Sequence, residues 1–163
     1  MKKMVGVLGI LAAVYFLPTI GMNVAASSRG VASIQAPTDS WIARKLSSWQ
    51  DVRAYRIKVD PARFPSLDEV VAAARPAGKM VEKAPGEVVY QTAVSGLERA
   101  IEFRLVALDD PEKLENTLTV VEATRCTESM ACYRHSVMKA FDSARSAYAL
   151  SNLAGIRKTP NAG

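Results

Sequence analysis

From residue 4 to residue 28 the chain carries no charge, and Lys2 and Lys3 stand immediately before that stretch. An uncharged run of this length near the start reads as an export or membrane element, so the fold has to come from the residues beyond it. Lys and Arg stay on the cytoplasmic side during insertion, which sends the body outward. The continuous apolar part, residues 4–17, is about 21 Å long as a helix, short of the ~30 Å hydrocarbon core. Pro18 then interrupts it. Val24, Ala25 and Ala26 supply the small residues a signal peptidase needs. These features favour a signal peptide over residues 1–26. The alternative is a retained transmembrane anchor, because residues 4–26 as one helix reach about 34 Å and Pro is tolerated in such helices. Both readings place the body in the periplasm or outside the cell, and nothing later in the sequence is long and apolar enough to span again.

Of 163 residues, removal of 26 leaves about 137, enough for one hydrophobic core. The net charge of +5 falls to about +3 once Lys2 and Lys3 are set aside. That mild, unclustered excess argues against a nucleic-acid partner.

Residues 27–39, SSRGVASIQAPTD, are small and polar and read as a flexible spacer. A single α+β domain is expected over residues 40–156, with a disordered tail over 157–163. Asp39 or Ser40 caps a short helix in which Ile42, Leu46 and Trp49 share one face. Packing of that face on the core is the favoured reading. Trp41, Arg44, Lys45 and Trp49 also form a candidate membrane or partner surface, since Trp and basic residues favour that boundary. DVRAYRIKVD alternates, with Tyr55, Ile57 and Val59 on one face and Arg56 and Lys58 on the other, and predicts a half-buried strand. Ser66 and Glu69 make a capping box for a helix striped with Leu67, Val70, Val71 and Ala74, which Pro76 and Gly78 stop.

KMVEK, EVVYQTAV, AIEFRLVAL and TLTVVEATR come next as strands. Pro85-Gly86 and Gly96 mark turns, and the polar stretch DDPEKLEN joins the last two strands. Such short connections favour antiparallel pairing. A long helix over about residues 128–153 closes the chain. Tyr133, Val137, Phe141, Ala144 and Tyr148 form its apolar stripe, for which the sheet is the expected partner. The fold class is α+β, a mostly antiparallel sheet of four to five strands packed against this helix.

Cys126 and Cys132 are the only cysteines. Export puts them in an oxidising compartment, where a disulfide is the default. Residues six apart in a continuous helix are about 9 Å apart along its axis, beyond disulfide reach. If bonded, CTESMAC therefore cannot be all helix. His135 is the only histidine and reads as a polar-face residue near a helix start. No zinc spacing, nucleotide loop or nucleophile elbow occurs, so no catalytic, cofactor-binding or metal-ligating residue is singled out. Adjacent carboxylates are explained as turn residues at Asp109 and Asp110 and as first-turn helix residues at Asp68 and Glu69.

The order strand, helix, meander and long C-terminal helix resembles helix-grip lipid-binding domains in element order, with fewer strands. Tyr55, Tyr90, Phe103, Tyr133, Phe141 and Tyr148 are candidates to line an apolar gap between sheet and helix; filling it as core is the favoured alternative. The expected function is a non-catalytic binding or structural role in the envelope, through an unidentified protein partner and with the membrane surface near. A carrier or sensor of a small apolar ligand comes second, and an enzyme third.

Overall fold

A computed structural model describes residues 2–45, 48–107 and 116–154. Its elements run in the order α1 (Lys2–Ser28), β1 (Val31–Ile34), α2 (Trp41–Arg44), β2 (Asp51–Val59), α3 (Leu67–Ala74), β3 (Lys79–Ala84), β4 (Glu87–Val94), β5 (Leu97–Ala107), β6 (Asn116–Cys126) and α4 (Ser129–Leu150), with a 3₁₀ turn over Ser151–Leu153. Leu46, most of the polar connection after β5 with Asp109 and Asp110, and the C-terminal tail lie outside the described residues.

The protein is α+β, and among the described residues its sheet has six strands rather than four to five, in the order β1-β2-β6-β5-β4-β3. Every pairing is antiparallel. The additional strand is β1, inside the stretch that composition reads as a spacer. Val31 opposes Ile57 and is buried, whereas Ala32 and Ser33 face solvent on an edge strand. With so few covered positions, the strand carries no alternation to read. β2 pairs with β6, the last strand of the β3–β6 meander, over its full length, from Asp51↔Thr124 to Val59↔Asn116.

Local chemistry sets the turns. Ser95 and Gly96 join β4 to β5 with φ of 47° and 74°, the positive angles that a tight type I′ hairpin turn demands at both central residues. The Ser66 hydroxyl accepts from the Glu69 N–H at the start of α3, and Arg75 ends that helix in the left-handed region.

Both sheet faces are covered. On one, Tyr55, Ile57, Val59, Val88, Phe103, Leu118 and Val120 pack against Phe64, Val70 of α3 and Ala147 and Leu150 of α4. On the other, Ala54, Ala100, Val121 and Ala123 are small enough to admit Ile42 and Trp49 from the segment before β2. Residues 118–121 of the central strand β6 are consequently all buried.

α1 continues through Pro18 rather than stopping there. The Thr19 hydroxyl donates to the Tyr15 carbonyl at 2.8 Å, beside the bond that proline removes. α1 lies parallel to α4. The Tyr15 hydroxyl donates to the Val137 carbonyl at 2.9 Å and its ring lies 6.4 Å from that of Phe141. Further along, Arg29 donates to Ser151 and Asn152 and sits over the Tyr148 ring. Thr19 and Ala26 are buried on this seam.

Candidate functional site

The space between the sheet and α4 is polar at one end. β2 brings Asp51 and Arg53, β4 Thr92, β5 Arg99 and β6 Glu122 and Thr124 to the same sheet face, in the registers Arg53↔Glu122 and Arg99↔Thr124. α4 sets His135, Asp142 and Ser146 opposite, about one or two turns apart. A cavity of about 200 Å³ lies among Arg53, Thr92, Arg99, Glu122, Thr124, His135, Asp142 and Ser146.

Asp51 anchors this end. It accepts from Arg53 at 2.6 Å, meets His135 Nε2 at 3.0 Å and Lys139 at 3.2 Å. Burial pushes its carboxyl up, but Arg53 and Lys139 outweigh that and hold it below the usual range. In the neutral ring, the Asp51 carboxylate fixes the proton on Nε2, which leaves His135 Nδ1 as an acceptor. Nδ1 is buried and has no hydrogen-bond partner among the described residues. Burial pushes the Glu122 carboxyl up, opposed by a hydrogen bond from Ser146 and by the charges of Arg53 and Arg99. Arg99 meets Asp142 only at 3.7 Å, too long for a hydrogen bond.

The six aromatic candidates do not converge here. Tyr55 and Phe103 are core residues and Tyr90 packs against the same cluster. The Tyr55 hydroxyl reaches Ser143 of α4 at 3.2 Å. Tyr133 and Tyr148 are 68% and 39% exposed, and Phe141 faces Tyr15 of α1. α4 turns Ala144, Ala147 and Leu150 inward. The aromatic stripe flanks α1 and solvent. What sequence reasoning missed is the polar cluster. Its signal is Glu122, which stands where the apolar face Leu118, Val120 of β6 would continue.

The tryptophan segment is also rearranged. Trp49 is buried on the second sheet face with Arg125 over its ring, and Lys45 sits over half-buried Trp41. Arg44 pairs with Glu87 at 3.4 Å, and Arg104 clasps Asp39 with both nitrogens at 2.9 and 2.6 Å. The Arg104 guanidinium draws the Asp39 carboxyl down to about 2. Beneath them Glu102 is fully buried. One oxygen accepts from the Ile42 N–H, and the other has no hydrogen-bond partner among the described residues.

Cys126 and Cys132 form a disulfide with Cα atoms 5.3 Å apart. The bridge ties the end of β6 to the first turn of α4, with the helix starting only at Ser129, as the spacing requires. Among the described residues no three His, Cys, Asp or Glu side chains gather as a metal site needs. No protein-family model, curated protein or solved structure matches the chain.

Proposed function

We propose that the chain is an exported envelope protein with a non-catalytic binding role, delivered to the outer side of the membrane by α1. The observation that carries this reading is the surface of α1. Residues 9–28 are long and apolar enough to cross a membrane, with a mean hydropathy of 1.6, yet only 11% of that window is buried. Ile10, Leu11, Val14, Phe16, Leu17, Ile20 and Val24 are each more than half exposed. A helix apolar on every side and covered along one seam needs lipid, removal or a partner. The disulfide supports the outward assignment, because such bonds persist in oxidising compartments. The charged lining of the gap under α4 speaks for a polar rather than an apolar ligand there.

The test is the non-reduced intact mass of the native protein, fraction by fraction. Recovery outside the cytoplasm with the disulfide formed is the expected result, whether α1 is retained in the membrane or cut away. A reduced, full-length, cytoplasmic protein overturns the reading.

A further inference from the structure

The cavity under α4 holds three groups with unspent bonding capacity. His135 Nδ1 is buried without a hydrogen-bond partner among the described residues. The Glu122 carboxyl lines the cavity and has no direct ion pair among the described residues, although a carboxylate has room for several donors. The Arg99 guanidinium stands 3.7 Å from Asp142, which leaves its forked donors free for a closer carboxylate. Arg53 differs, being bound to Asp51 at 2.6 Å.

The lining carries both signs. Arg53 and Arg99 stand against Glu122 and Asp142. A ligand of either net charge would leave one member of this set uncompensated in a partly desolvated space. A ligand carrying both charges would not. A volume of about 200 Å³ corresponds to roughly seven waters, so the part of a ligand held there has the size of a small amino acid. The hydroxyls of Thr92, Thr124 and Ser146 complete a lining suited to polar groups.

We propose that this cavity binds a small zwitterion of amino-acid size, its ammonium on Glu122 and His135 Nδ1 and its carboxylate on Arg99. The site lies on the sheet and α4 and uses no residue of α1, so it stands or falls separately from the export reading.

The experiment is calorimetric titration of the full chain in mild detergent with glycine, L-alanine and L-serine. Acetate and ethylammonium serve as probes bearing one charge each. The expected result is saturable binding of at least one zwitterion and none of either single-charge probe at the same concentration. Glu122→Gln keeps the shape while removing the charge, and should weaken binding at least about tenfold. Arg99→Gln, on an exposed part of the strand, should do the same without disturbing the fold. Silence from all three zwitterions up to about 10 mM, where even a millimolar site registers, overturns the proposal. Acetate binding as tightly as the zwitterion, or unchanged affinity in Glu122→Gln, also overturns it.

Discussion

Removing the disulfide by replacing Cys126 and Cys132 with serine tests how the C-terminal helix is held. The bridge spans a sequence separation of 6 and closes a loop of about seven residues. On the chain-entropy relation such a loop restricts the unfolded chain by about 8 cal/mol/K, or about 2.4 kcal/mol at 25 °C. The native side offers little compensation. Glu128 at the start of α4 makes no side-chain capping bond, and the connection is otherwise held by the Gly96 carbonyl, which accepts from the Thr127 N–H at 2.8 Å and from its hydroxyl at 3.3 Å. Fraying of an uncapped first turn adds to the loss, so the expected destabilisation is about 2–3 kcal/mol, or about 5–10 °C in Tm for a chain of this size. Urea unfolding followed by circular dichroism, with oxidised wild type beside the double variant, measures it. A loss below about 0.5 kcal/mol would refute the loop-entropy reasoning. A loss above about 5 kcal/mol would show instead that the bridge holds the whole helix on the sheet.

Glu102→Gln should stabilise the protein at neutral pH and flatten its pH dependence. Burial raises the folded carboxyl above its ordinary 4.5, so its stabilising protonation is complete below that value and is lost as pH rises through the folded pKa. The slope from one such group is at most about 1.4 kcal/mol per pH unit, and an unchanged slope in the variant would contradict this. Leu118→Ala, at a fully buried position of the central strand, should cost about 2–5 kcal/mol in denaturant titrations; a cost below about 1 kcal/mol would mean the site collapses around the gap. Gly78→Ala should destabilise by at least about 1–3 kcal/mol, read as a fall in Tm, because φ there is 104° and the added Cβ would sit 2.3 Å from the Gln91 carbonyl oxygen.

Much of this architecture was legible in the sequence because single residues announce it. Pro85-Gly86 and Gly96 mark the hairpins, Ser66 and Glu69 the start of α3, and the Tyr55–Ile57–Val59 alternation the strand β2 beside the central β6. The count of strands was not, because β1 lies at an edge and its middle residues face solvent. The second covered face was also hidden. Ala54, Ala100 and Ala123 look like weak strand positions, yet their small size is what admits Ile42 and Trp49. The orientation of α4 escaped for the opposite reason. Phe141 faces α1, Tyr148 lies under Arg29 just past it and Tyr133 faces solvent, and a stripe of aromatics does not say which of two neighbours it meets. The site was least legible of all, since Asp51, Arg53, Arg99, Glu122 and His135 come from four elements that only the sheet register unites.

The side-by-side packing of α1 and α4 joins the beginning of the chain to its end, with Tyr15 bonded to a residue 122 positions later. At about 5–20 residues per second, a ribosome needs roughly 6–24 s after making Tyr15 to reach Val137. For that interval the apolar helix exists and its intramolecular partner does not. Any membrane or export machinery that recognises α1 therefore meets no competition from the domain, and docking on α4 becomes an alternative only after synthesis of the last helix.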